Sequence, residues 1–335
     1  MKTIRIIAAA AAICALTAAG CSPAGNYVVS DGAMLGTTFH VCAELPSGVS
    51  SSDLYAEMMS LDRRARASMS IFDEESLLSR LNRNETDSAD LHIINNLTLA
   101  RRISCDVDRH YDITVKPLTD ALGFARGEAL TQPNTDSLLQ FIGPDKWHIE
   151  GFRVVKHDPR VQFDLNSIAK GYTVDLAAAR LEALGSVNYI VEIGGEIRCR
   201  GVNRAGDTWT VGIDAPYEGN MIPGRRLCGA VMLHDRALAT SGNYRRYHVD
   251  GQGNKTVHTI DPLTGRGRES RLLSATVVAR ECAVADALAT TFMAAGADRA
   301  LELAAAMRDT TGVFFILDDG RGGYEFYNTI DGYER

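Results

Sequence analysis

Three stretches of this 335-residue chain carry residue types whose spacing suits chemistry. The first runs Phe163-Asp164-Leu165-Asn166-Ser167-Ile168-Ala169-Lys170-Gly171-Tyr172. A strand is expected to end at Asp164 and a helix to open near Asn166 or Ser167, either of which can cap it. A helix N-terminus offers unpaired N–H groups and a positive dipole end, so it attracts anions. Lys170 falls in that first turn, where a cation disfavours the helix unless an anion is near. A phosphate would resolve the conflict; a solvated Lys170 on an ordinary capped helix fits the segment taken alone. The second stretch is Glu281 to Phe292, where Asp286 interrupts an almost wholly apolar helix and Thr290 follows one turn later on the same face. A buried carboxylate is costly unless paired or bound to a cation. Carboxylate, hydroxyl and backbone carbonyls form the hard-oxygen set suited to Mg²⁺, although an Asp that caps or pairs with a neighbouring loop fits the pattern equally.

The third region joins Thr240-Ser241-Gly242-Asn243-Tyr244 to His258-Thr259-Ile260-Asp261-Pro262-Leu263-Thr264-Gly265. Both segments are turn-rich and able to bring polar groups to a cleft edge. His258 could act as an acid, a base or an electrostatic partner near neutral pH, or serve the fold alone. Gly194-Gly195-Glu196 lacks the third glycine and the helix of a dinucleotide fingerprint and reads as a tight turn between strands.

Elements of two kinds must position these residues. Helical spacing predicts helices over 51–66 (after capping serines), 74–82, 92–105, 131–140, 167–184 and 282–308. Short β-like runs are expected at 37–43, 147–149, 154–155, 161–163, 189–191, 209–211, 273–279, 312–317 and 323–326. The interleaving is irregular, without βαβ spacing, so the fold class is expected to be α+β with substantial antiparallel sheet.

Composition narrows the partners. The hydrophobic share is 45% and the net charge −7, which excludes a disordered chain and argues against nucleic acid. Residues 1–20 read as a signal peptide: Lys2 and Arg5 precede an apolar run from Ile6 to Ala19, too short for a comfortable membrane span. Losing it takes the charge from −7 to −9. Ala18-Ala19-Gly20-Cys21 is similar to a bacterial lipobox, which implies lipidation of Cys21, a tether over 21–27 and one domain over 28–335. Cys42, Cys105, Cys199, Cys228 and Cys282 then remain, an odd, widely spaced set without a CxxC pair. They are neither a disulfide framework nor a zinc site, and buried free thiols are the expectation.

In this order the segments resemble the FAD:protein FMN transferases, the ApbE-type flavin-transferring lipoproteins. The resemblance begins at Leu35-Gly36-Thr37-Thr38 and takes in Met69-Ser70-Ile71-Phe72, Tyr111 to Leu118 and Gly123-Phe124. It continues through Asp164–Tyr172, Val191–Ile197, the Thr240 and His258 segments and Asp286 to Thr290. It implies a T-fold-like α+β architecture with mixed or antiparallel sheets and packed helices. The reaction implied is Mg²⁺-dependent transfer of FMN from FAD to a Ser or Thr hydroxyl of a target protein, releasing AMP. Targets would be of the Na⁺-pumping quinone reductase or Rnf type, and the protein would be exported and lipid-anchored to a bacterial membrane, facing the periplasm.

By motif position Ser167 and Ala289 (through carbonyls), Asp286 and Thr290 would hold Mg²⁺. Asp164 and Lys170 would contact FAD, with Leu35, Phe72, His110, Tyr111, Asp112 and Ile260 lining its pocket and His258 the acid/base group beside the pyrophosphate. Leu35 stands where the family commonly has Met, and Ala289 where some relatives carry a second Asp. Hydrolysis of FAD to FMN and AMP on the same site, or non-catalytic carriage of FAD, are the competing readings.

Overall fold

The structure, a computed structural model, describes residues 25–124, 134–216, 224–242, 247–249, 255–257, 259–267 and 270–334. The chain opens with a hairpin, β1 (Tyr27–Met34) and β2 (Thr37–Glu44), turning at Leu35-Gly36 with φ of 49° and 75°. Helix α1 (Ser51–Met69) starts in a capping box: Ser50 Oγ accepts from Asp53 N–H while Asp53 accepts from Ser50 N–H. Helices α2 (Leu77–Asn82) and α3 (Leu91–Asp106) follow, then α4 (Lys116–Ala121), α5 (Thr135–Leu139) and the hairpin β3 (Trp147–Glu150)–β4 (Arg153–Lys156). Helix α6 (Ala169–Ala183) leads to β5 (Tyr189–Ile193), β6 (Glu196–Arg200), β7 (Trp209–Asp214), β8 (Leu227–Leu233) and β9 (Ala237–Gly242). Two small hairpins come next, β10 (Tyr247–Val249) with β11 (Lys255–Val257) and β12 (Ile260–Asp261) with β13 (Arg266–Gly267). The chain closes with β14 (Leu272–Ala279), α7 (Cys282–Ala295), α8 (Ala297–Ala306), β15 (Gly312–Asp318), β16 (Tyr324–Asn328) and β17 (Tyr333–Glu334).

Eight strands form one sheet in the order β1-β2-β5-β6-β9-β14-β15-β16, and each neighbouring pair is antiparallel. Strand alternation splits its side chains between its two faces. On β15, Phe315 and Leu317 join the core under α3, α7 and α8, while Phe314 and Ile316 join the one under the small sheet β17-β8-β7. Phe315 meets Phe292 of α7 edge-on at 5.0 Å, and Phe314 stacks on Tyr333 of β17 at 4.6 Å. Burying each such ring is worth about 1.5–3 kcal/mol, so β15 is held from both sides. The α+β class and the antiparallel sheet are as expected.

Several local expectations are corrected. Residues 161–163 belong to no strand, because the Asn82 side chain takes both backbone groups of Phe163: Phe163 N–H donates to Oδ1 (2.7 Å), and Nδ2 donates to Phe163 C=O (2.8 Å). Neither Asn166 nor Ser167 caps α6; they lie in a turn, and Ile168 is the cap residue, with no side-chain bond. The helices over 282–308 are present as expected and are two, separated at Gly296, whose φ of 77° an L side chain rarely adopts. Thr240, Ser241 and Gly242 close a central strand rather than a loop. Strands β1, β8 and β17 and the small hairpins β10–β11 and β12–β13 are not among the expected strands.

Candidate active site

Helices α6 and α7 cross at very close range. A Cβ on Gly171 would come within 2.4 Å of the Cys282 carbonyl oxygen, so only glycine fits there. At that crossing the N–H of Gly171, the third residue of α6 and so without an acceptor inside its own helix, donates to Asp286 Oδ2 at 3.0 Å. The Ser167 carbonyl precedes the cap residue and so lies outside the helical ladder, close to the amide that Asp286 accepts from. Thr290 sits one turn along α7, its hydroxyl 3.4 Å from Ser241 Oγ of β9. Ser167 Oγ shares a 3.1 Å hydrogen bond with the Tyr111 hydroxyl, whose pKa burial raises far above that of free tyrosine. Asp286 is therefore set at the start of α6, where Ser167 precedes the helix, with Thr290 one turn further along α7 beside β9. Ala289 is fully buried beside them, its carbonyl in the body of α7.

Charge at the junction is unbalanced. Lys170 pairs with Glu196, which opens β6 after the Gly194-Gly195 turn. Burial pushes the Lys170 ammonium down, but the carboxylates of Asp286 and Glu196 reverse this and hold it well above an ordinary lysine. Burial pushes the Glu196 carboxyl up to about 7; Lys170 opposes the shift and Asp286 adds to it. One ammonium thus faces two carboxylates, each at most 4% exposed, and Glu196 Oε2 has no hydrogen-bond partner among the described residues. The anion that settles Lys170 in the first turn of α6 is the protein's own. Among the described residues no three His, Cys, Asp or Glu side chains converge on one point. A cation here would rest on the Asp286 carboxylate with hydroxyl and carbonyl oxygens, a hard set that fits a small divalent ion and whose charge offsets the surplus.

The remaining expected residues surround this junction or lie apart from it. Asp164 is buried; its Oδ1 accepts from Asn166 N–H at 2.9 Å and its Oδ2 lies 3.4 Å from the Thr119 hydroxyl, and burial raises its pKa. Its own N–H reaches Ile113 C=O at 2.7 Å, tying the 164–168 turn to the segment after Tyr111. Asp112 accepts from the backbone N–H (2.8 Å) and the hydroxyl (2.6 Å) of Thr114, capping the short 3₁₀ turn Ile113–Val115. His110 Nδ1 lies 3.5 Å from Asp261 Oδ1, and Ile260 packs with Leu118 and Ile142. Leu35 occupies the β1–β2 turn and donates its N–H to Asp62 Oδ1 at 2.8 Å. Phe72 is 62% exposed. His258 and Cys21 lie outside the described residues, as do Asn243 and Tyr244.

Sequence reasoning missed Glu196 and Asp62 as site residues, and took in Ser241 only as part of a turn-rich segment. Glu196 pairs in register with Ile193 across the turn and so shares its buried face. Asp62 lies four residues after Met58 on the apolar face of α1, a visible but unread signal. Cys199 and Cys282 are buried thiols, as expected; Cys105 is exposed, against the expectation of burial, and Cys42 and Cys228 are half-buried.

The sequence model of the ApbE family matches residues 35–315. The FAD:protein FMN transferase of Vibrio cholerae is 33% identical over 313 residues, covering 91% of this chain and 92% of its own. The enzyme of that name from Haemophilus influenzae is 33% identical over 324 residues, covering 92% and 91%. The solved flavin transferase ApbE of Vibrio cholerae superposes with a TM-score of 0.78 at 31% identity, covering 90% of this chain and 97% of its own. The apo flavinyl transferase ApbE of Pseudomonas stutzeri gives 0.80 at 28% identity, covering 90% and 94%. By sequence and by fold, the chain belongs to the ApbE family.

Proposed function

We propose that this chain transfers the FMN part of FAD to a Ser or Thr hydroxyl of an acceptor protein and releases AMP, with Mg²⁺ held by Asp286, Thr290 and the carbonyls of Ser167 and Ala289. The observation that supports the metal site is the hydrogen bond from Gly171 N–H to Asp286, which sets a buried carboxylate at the start of α6, where the Ser167 carbonyl lies outside the helical ladder. The names of the transferase relatives support the reaction. In it the acceptor oxygen forms a bond to the phosphorus on the FMN side, and the bridging P–O bond to AMP breaks. The hydroxyl proton passes to a base, a role we assign to His258. Bound Mg²⁺ supplies charge neutralisation at the pyrophosphate oxygens. Lys170, oriented by Glu196, stands to meet the same oxygens, while Asp164 holds the turn that presents Ser167. Leu35, Phe72, His110, Tyr111, Asp112 and Ile260 are assigned to the flavin nucleotide pocket.

We further propose that residues 1–20 direct export, that Cys21 is lipidated and that the enzyme works at the periplasmic face of a bacterial membrane. The acceptor would be of the Na⁺-pumping quinone reductase or Rnf type. Lys2, Arg5, the Ile6–Ala19 run and the Ala18–Cys21 step support this reading. Loss of fatty-acid labelling in Cys21→Ser tests the anchor. Chromatography tests the reaction: AMP should appear with FAD consumption only when acceptor and Mg²⁺ are both present, whereas free FMN in equal amount would mean hydrolysis.

A further inference from the structure

Helix α7, which carries Asp286 and Thr290, begins without a cap of its own: Glu281 at the cap position makes no side-chain cap bond. Its first amides are satisfied from another helix. Asp175 of α6 accepts from Cys282 N–H through Oδ1 (3.0 Å) and from Ala283 N–H through Oδ2 (2.9 Å). Arg198 of β6 donates to the same Oδ1 at 2.6 Å, so the carboxylate is fixed by three donors from two elements. The reverse contact is the one already described, in which Asp286 of α7 accepts from Gly171 N–H in the first turn of α6. Each helix therefore places a carboxylate on the N-terminal turn of the other. Cys282 is pinned twice, its N–H by Asp175 and its carbonyl against Gly171. Asp286 lies one turn beyond Cys282, so the height and rotation of α7 fixed at Cys282 carry directly to the carboxylate.

We infer that Asp175, held by Arg198, is a positioning residue that sets α7 so that Asp286 and Thr290 face the Ser167 carbonyl. The inference rests on the metal reading proposed above. A carboxylate that served helix stability alone would lower the melting temperature when altered and leave cation affinity unchanged. One that aims Asp286 alters both.

The test uses the purified chain with FAD and Mn²⁺ as the probe, bound Mn²⁺ being read by electron paramagnetic resonance, with hydrogen exchange of the Gly171 amide as a second readout. Asp175→Asn should raise the Mn²⁺ Kd at least tenfold and speed Gly171 exchange at least tenfold. Arg198→Gln, which keeps both amide bonds to Asp175 but removes its counter-ion, should move both in the same direction. Ile316→Ala, in the core on the opposite face of the sheet, should lower the melting temperature and move neither. Melting temperatures that fall in Asp175→Asn and Arg198→Gln while both readouts stay within twofold of wild type would overturn the inference. A wild-type chain that bound no Mn²⁺ would instead remove the metal reading, and Gly171 exchange alone would then decide whether Asp175 positions Asp286.

Discussion

The Gly171 amide and the Asp286 carboxylate are joined by a 3.0 Å hydrogen bond across two helices that touch backbone to backbone. This bond caps an N-terminal amide of α6 from α7, next to the Ser167 carbonyl, which precedes the cap residue Ile168 and lies outside the ladder. Glycine is required at this contact because the partner atom is a carbonyl oxygen, which cannot rotate aside. A metal site with a single carboxylate depends on such spared backbone oxygens.

Gly171→Ala should push α6 and α7 apart. Overpacking against backbone costs about 1–3 kcal/mol, seen as a melting temperature lower by several degrees. The Mg²⁺ concentration for half-maximal turnover should rise with it. An unchanged melting temperature would mean that the helices can separate freely.

Asp286→Ala should retain the fold by circular dichroism and lose Mg²⁺-dependent turnover by on the order of a hundredfold or more, since a metal ligand contributes several kcal/mol to stabilising the developing charge. Turnover within a few-fold of wild type would place the cation elsewhere.

Glu196 gives a pH signature. Its carboxyl is raised from 4.5 to about 7, chiefly by burial, so the folded chain holds that proton more tightly than the unfolded one. Its stabilising contribution is complete below 4.5 and lost as pH rises through 7. The melting temperature of the metal-free chain between pH 5 and 8 should therefore fall more steeply for wild type than for Glu196→Gln. Parallel curves would contradict the assignment.

Asp62→Ala tests the hairpin turn. Leu35 holds φ at 49°, a left-handed conformation costing roughly 1–2 kcal/mol outside glycine, and Asp62 secures its N–H. Releasing it should raise KM for FAD severalfold with kcat within about twofold, the pattern of lost uniform binding. A fall in kcat at constant KM would move Leu35 out of the flavin pocket.

Thiol labelling separates the cysteines. Cys105 is exposed and should react within minutes at neutral pH. Burial raises the Cys199 thiol to about 12 and that of Cys282 well above its usual range, so both should react only on unfolding. Rapid labelling of Cys282 would show the α6–α7 contact to be open.

How much of this was legible in the sequence differs by element. Helices with strong periodicity, α1 and α3, lie within a few residues of expectation apart from the last turn of α1, because their apolar faces dictate them. The 161–163 stretch looked like a strand because its alternation is correct, yet the side chain of Asn82, some eighty residues earlier, supplies the pairing. The cap of α6 was misread because Ser167 has a distant partner in Tyr111. Asp286 and Thr290 were legible as polar residues breaking an apolar helix. Glu196, hidden in a glycine turn, needed the strand register to show which face it occupies. Local signals give local structure, and the residues missed are those whose meaning depends on contacts between distant segments.

The most direct measurement is the intact mass of an acceptor protein incubated with this chain, FAD and Mg²⁺. The account predicts the gain of one FMN in phosphoester linkage on a Ser or Thr, abolished by removing Mg²⁺ and by Asp286→Ala. An acceptor of unchanged mass, with FAD either intact or cleaved to free FMN and AMP, would contradict it.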